Sequence, residues 1–353
     1  VETLEHRRFL SGTTYYLSPG GNDTNLGTTP ATAWKTITRA NHSTFEPGDS
    51  LLLQGGKTFA GDLILSAADS GTAAAKVSIG SYGSGQATIS AGNGDAITAD
   101  DTGEIVISNL ILVGSGPKSN KGSGLDLMDD QSNKPKIANI SIQNINASGF
   151  GFVGIGIGSK TLTTGFTNVN VSNCVLSNNG EAGLFSYAGA FRANPAPYGL
   201  ADSHIYISHV VACNNPGHSG GNDSGSGIEL ANVDQATVQY CTAYGNGTGN
   251  NSPSSGPVGI WAYNCNKVVI ENNESYSNHA RYKDGDGFDF DGGTTNSILQ
   301  NNYSHDNDGA GIIESEFSGA KPSTGNIIRD NMSTDDGRAR RQAGLWRWWA
   351  HSK

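Results

Sequence analysis

The chain has 353 residues and a formal net charge of −10, with only 15% charged residues. That balance excludes nucleic acid as a partner, since phosphates need a basic surface. No apolar run of about 18 residues is present, so no membrane span is expected. The 49 glycines and the frequent asparagine exclude a helical bundle and point to many short strands joined by tight turns.

Residues 1–12, VETLEHRRFLSG, lack the apolar h-region of a signal peptide. Their Leu4–Ser11 stretch resembles a segment near the start of certain exported bacterial proteins, which implies a secreted or cell-surface chain. Residues 13–60 read as an N-terminal cap. Tyr15-Tyr-Leu17 is a short strand and Ser18–Asp23 is turn chemistry. Trp34, Ile37 and Ala40 fall on one side of a short amphipathic helix that would shield the open edge of the first coil.

From about 61 to 337 the chain repeats. The phrase apolar-x-apolar-x-Asn recurs in Val169–Asn178, Ile205–Asn214, Ala236–Gly245, Val268–Ser277 and Ser297–Asp306. Alignment places Cys174, Val210, Cys241, Asn273, Asn302 and Asn331 in one column, separated by 36, 31, 32, 29 and 29 residues. A second phrase, glycine followed by an apolar residue, recurs at Gly154, Gly183, Gly227, Gly259, Gly287 and Gly311. This period with short strands and no long helical pattern predicts an all-β fold, a right-handed parallel β-helix with a short N-terminal capping helix. Cysteines two coils apart lie beyond disulfide reach and read as small core residues. The insertions Phe191–Asp202, Asn215–Ser226 and Gly245–Pro257 predict a binding face. After Gly337 the basic, tryptophan-rich residues 338–353 read as an atypical, truncated end.

In the second phrase the residue after glycine is taken as inward. The outward positions then carry Phe185, Tyr187, Glu229, Trp261, Tyr263, Asp289 and Asp291. Rings beside carboxylates suit a polysaccharide groove, the rings stacking on sugar faces and the acids doing acid/base work. Asp289, Asp291, Glu314 and Glu229 are the candidate catalytic residues. Trp261, Tyr263, Tyr187, Phe185 and Glu316 are the candidate substrate contacts. Strict continuation of the register would bury Glu314 and Glu316, so a one-residue shift that stacks Glu314 near Asp289 is expected. Sequence alone leaves open whether Asp289 pairs with Glu314 or with Glu229.

The run DGDGFDFDGG…NNYSHDNDGAG resembles the bacterial pectin-lyase-like right-handed parallel β-helix superfamily over most of residues 13–337. Asp286-Gly-Phe and Asp306-Asn-Asp308-Gly are similar to the aspartate motifs of family 9 pectate lyases. That resemblance implies calcium at Asp286, Asp306 and Asp308 and a lysine base, for which Lys321 is nearest. The same superfamily holds glycoside hydrolases with paired carboxylates. The expectation is a secreted polysaccharide-cleaving enzyme, hydrolase ahead of calcium-dependent lyase, with a non-catalytic glycan-binding solenoid as the alternative. No organic cofactor and a monomer are expected.

Overall fold

The computed structural model describes residues 12–191, 193, 196–220, 223–339 and, as backbone, 345–347. The leader-like segment before residue 12 and most of the tail after 339 lie outside the described residues. The chain is a right-handed parallel β-helix. Every inter-strand ladder is parallel, each strand pairing with its counterpart one coil later, as from Val169↔Ile205 to Ile205↔Ala236 to Ala236↔Val268. Three faces result. Two belong to one continuous sheet that bends at a corner, and the third is a separate sheet of ten strands from Leu63–Leu65 to Leu345–Arg347.

Parallel pairing already begins with Thr14–Leu17 against Ser50–Gln54, inside the segment read as a cap. The helix there is a single turn, Ile37–Ala40, with Ile37 and Ala40 buried. Trp34 stacks on Tyr15 at 4.8 Å and carries the Arg39 guanidinium over its ring at 4.3 Å. No helix among the described residues is long and apolar enough to cross a membrane.

The repeating phrase has a direct physical meaning. The residue before each column position turns the corner in the left-handed region, at φ values of 54 to 59° from Asn109 to Asp330. Asparagine tolerates that conformation better than most residues, because its short polar side chain bonds locally. His209 and Tyr240 hold the same conformation in their coils. Inside the corner, Asn273 Oδ1 accepts from the Cys241 N–H, Asn302 Oδ1 from the Asn273 N–H, and Asn331 Oδ1 from the Asn302 N–H. A second ladder runs through Asn179, Asn215, Asn246, Asn278 and Asn307. Each rung satisfies buried amides of the coil before it. Cys174, Val210 and Cys241 occupy the same column, buried, and all four cysteines are free thiols. Between the ladders, stacked Ile, Leu, Val and Phe side chains fill one continuous core.

Candidate functional site

The third face positions the site. Its strands keep one register across the coils, Asp126↔Gly156, Gly156↔Phe185, Phe185↔Glu229, Glu229↔Trp261 and Trp261↔Asp289. A second outward row runs Met128↔Gly158 and Gly158↔Tyr187, with Ala231↔Tyr263 beyond it. The intervening residues Ile155, Leu184, Ile228, Ile260 and Phe288 are in the core. The alternation of inward and outward residues is therefore the one the glycine phrase implies.

The outward face is not an open groove. Phe185, Tyr187, Trp261 and Tyr263 are 1 to 7% exposed and form an apolar cluster with Val153, Ala182 and Val258. Phe152, Phe191, Ala196 and Phe317 pack against it. The insertions fold back over the face and wall a cavity of about 1150 Å³. Phe191 and Ala196 come from the first insertion, His218 and Asp223 from the second, Ser254 and Ser255 from the third. Lys118 and Lys121, from the 115–123 loop, also line it.

Two glycines shape the floor. A Cβ at Gly158 would lie 2.5 Å from the Tyr187 ring, and one at Gly156 would lie 2.6 Å from Asp126 Oδ1. Their absence lets the Tyr187 ring and the Asp126 carboxyl lie down on the sheet, where the Tyr187 hydroxyl donates to Asp126 Oδ1 at 3.1 Å. Trp261 and Tyr263 stack at 5.1 Å, and the Trp261 indole N–H donates to Ser226 Oγ at 3.1 Å.

Six carboxylates line the cavity: Asp95, Asp126, Glu181, Asp223, Glu229 and Asp291. Burial, aided by Asp95, pushes Asp126 up to about 7. Burial does the same to Asp223, also to about 7, with Asp284, Asp291 and Glu181 adding repulsion. Glu229 is raised well above the usual carboxylate range by burial and then by Asp223 and Glu181. Asp291 is raised by burial, but the Gly292 N–H at 2.7 Å and Ser315 Oγ at 2.8 Å donate to it and favour its charged form. Asp284 Oδ2 accepts from the Gly256 N–H at 2.6 Å.

Of the expected site residues, the cavity gathers Asp291, Glu229, Trp261, Tyr263, Tyr187 and Phe185. Several expectations are corrected. Asp289 shares the outward row but is 5% exposed, sits behind the lining, and bonds Ser315 Oγ at 3.3 Å. Glu314 does not stack on Asp289. The register continues strictly, Phe288↔Ile312 and Phe290↔Glu314, so Glu314 faces the other side of the sheet. Asn326 Nδ2 donates to it at 3.2 Å, which removes the objection to burying a carboxyl there. Glu316 lies outside the cavity and accepts from the Ser323 N–H at 2.8 Å.

The expected calcium ligands each have their own protein donors. Asp286 accepts from the Ala310 N–H. Asp308 accepts from the Ala280 N–H at 3.2 Å and pairs with His279 at 3.2 Å. Asp306 pairs with His305 at 2.9 Å and with Arg338. No group of three or more His, Cys, Asp or Glu side chains that could hold a metal occurs among the described residues. The three aspartates do not fit a shared calcium ion. Lys321 lays its ammonium 3.5 Å over the Tyr198 ring.

Sequence reasoning passed over Asp126, although Gly124-Leu-Asp126-Leu127 carries the same glycine phrase one coil before the first one used. It also passed over Asp223, which lies in an insertion marked as part of the binding face. Glu181, Asp95 and His218 sit in loops, where no periodic signal marks them.

Comparison with known proteins agrees with the architecture. The family described as "Right handed beta helix region" matches residues 198–351. The chain has the right-handed parallel β-helix fold of that family's description, and carries a walled, acidic and aromatic cavity on it. A lacto-N-biosidase of Bifidobacterium longum subsp. longum is 28% identical over 219 residues, which are 57% of this chain and 13% of that protein's length. The chain thus spans a small part of that relative. A crystal structure of the GH136 lacto-N-biosidase from Eubacterium ramulus superposes with a TM-score of 0.63 at 16% identity, covering 92% of this chain and 68% of that one. Pectate lyase Pel9A superposes with a TM-score of 0.54 at 14% identity, covering 92% and 78%. These two likenesses are of fold.

Proposed function

We propose that the chain is a secreted carbohydrate-active enzyme, a glycoside hydrolase whose bond-breaking carboxylates are Asp223 and Asp291, with Asp284 beside them. The observation that carries this reading is the split between two acids in one cavity. Burial pushes Asp223 up to about 7, while in Asp291 the upward push of burial is opposed by two donors that favour its anion. Neighbouring carboxyls whose environments push them apart supply an acid and a charged partner. Asp223 gives its proton to the leaving glycosidic oxygen. Asp291 meets the positive charge that develops at the anomeric carbon. The rings of Tyr187, Phe185, Trp261 and Tyr263 offer apolar surface to sugar C–H faces.

The chain's net charge of −10 works against binding a uronate polymer. That favours hydrolysis of a neutral glycan over lyase chemistry on pectate. The B. longum relative's name makes a lacto-N-bioside the first substrate to try. Release of p-nitrophenol from p-nitrophenyl β-lacto-N-bioside is expected. Asp223→Asn and Asp291→Asn should each lower kcat by about 10²- to 10⁴-fold. In the wild type, kcat should fall as pH rises through about 7, because the acid loses its proton. A panel of neutral glycosides giving no turnover would overturn the reading.

A further inference from the structure

Glu229 stands apart from the other cavity carboxylates. It is 3% exposed yet lines the cavity, and its Oε2 has no hydrogen-bond partner among the described residues. Its row neighbours are Phe185 on one coil and Trp261 on the next, neither of which brings it a donor. Three polar groups of the same cavity are engaged elsewhere. The Trp261 N–H is held by Ser226 Oγ, His218 Nε2 by the Gly151 carbonyl at 2.9 Å, and the Tyr187 hydroxyl by Asp126. A buried oxygen left without a partner is costly unless something arrives to fill it. Asp291 is the contrast, with two donors in place before any ligand binds.

We infer that Glu229 serves the cavity as an uncharged carboxylic acid, donating a hydrogen bond from its O–H to an oxygen of the bound sugar. The inference rests on the glycosidase reading for the identity of the ligand, though not for the state of the residue. The charges acting on Glu229 are those of Asp223, from the insertion over the face, and Glu181, from the turn before Ala182–Ala188. Tyr263, a coil beyond in the second row, feels Glu229 in turn. Asp223 and Glu181 disfavour the anion, and the flanking rings exclude the water that would solvate it. An uncharged carboxyl offers one donor and one acceptor, which matches a sugar hydroxyl. A carboxylate at the same place would accept only. Glu229 is therefore a recognition group, distinct from the acids that break the bond.

The test has two arms. The first is infrared difference spectroscopy of wild type against Glu229→Gln near neutral pH, with melting curves to confirm that the variant folds. A protonated carboxyl C=O band assigned to Glu229 is expected; a carboxylate band in its place overturns the inference whether or not any glycoside is cleaved. The second arm titrates lacto-N-biose across pH. Wild-type affinity should fall as pH rises through the pKa of Glu229, and Glu229→Gln should flatten that fall. Glu229→Ala should weaken binding roughly tenfold, the loss of one hydrogen bond. An equal pH dependence in wild type and Glu229→Gln would also overturn it. Failure of the glycosidase reading would show separately, as absence of turnover by the wild type.

Discussion

Asp202 shows how one side chain couples the fold to pH. It is fully buried, accepts from the Phe166 N–H at 2.7 Å through Oδ1, and has no partner on Oδ2 among the described residues. Burial pushes it up to about 8, against the help of Phe166 and Lys136. The folded state therefore holds a proton that the unfolded chain releases near pH 4. Between those two values folding binds more protons than unfolding, so stability from this group falls as pH rises, by at most about 1.4 kcal/mol per pH unit. Asp202→Asn should be close to wild type in melting temperature near pH 4 and more stable than wild type near pH 8. An identical pH dependence in both proteins would refute this account. At the same scale, Gly158→Ala places a methyl against the Tyr187 ring and should lift it from Asp126. Weaker glycan binding with little change in melting temperature is the expected result, because the ring moves into the cavity and not into the core.

At the scale of the element, the strand register was readable because the glycine phrase fixes which residue is inward. The order Phe185, Glu229, Trp261, Asp289 followed from it directly. The reading broke at Glu314, where the cost of a buried carboxyl was weighed without knowing its partner. Asn326, on the following turn, supplies the hydrogen bond, and nothing in the local pattern announces it. Asp286, Asp306 and Asp308 show a related limit. Their resemblance to lyase motifs implies a cation, yet each is held by the backbone or a base nearby. The asparagine ladders offer a sharper test. Asn246 Oδ1 accepts from the backbone and side-chain amides of Asn215, and its own amide donates to the Ala212 carbonyl and Asn278. Asn246→Ala would strand several buried groups at about 1–3 kcal/mol each. The urea midpoint should drop by an amount worth at least about 2 kcal/mol with an unchanged slope.

For the whole molecule, the period of the chain revealed the solenoid, but not the roof. The insertions were visible as departures from the period, and that they gather on one face was foreseeable. That they fold down to bury the aromatic rows was not, because loops carry no periodic pattern from which a direction can be read. The cavity leaves most of its carboxyls half-buried, where salt screens them less than on the open surface. Combined with the net charge of −10, this sets a preference among polymers. Polygalacturonate should bind poorly at low ionic strength and somewhat better as salt is added, since screening relieves the repulsion outside the cavity. A neutral glycan should bind with little salt dependence. Tight polygalacturonate binding at low salt would contradict the charge argument.

The ladders also bear on how such a chain can be inherited and altered. Successive rungs are 29 to 36 residues apart, and each is completed only by the rung that follows. A duplication or loss of one whole rung-to-rung stretch leaves every amide with a partner, whereas a break in mid-coil leaves buried amides unmatched. Changes in the height of the stack should therefore survive in whole-coil steps, while changes of a few residues survive only in the loops that roof the cavity. Descent would then adjust two things separately, the length of the stack by copying coils and the choice of ligand by editing loops.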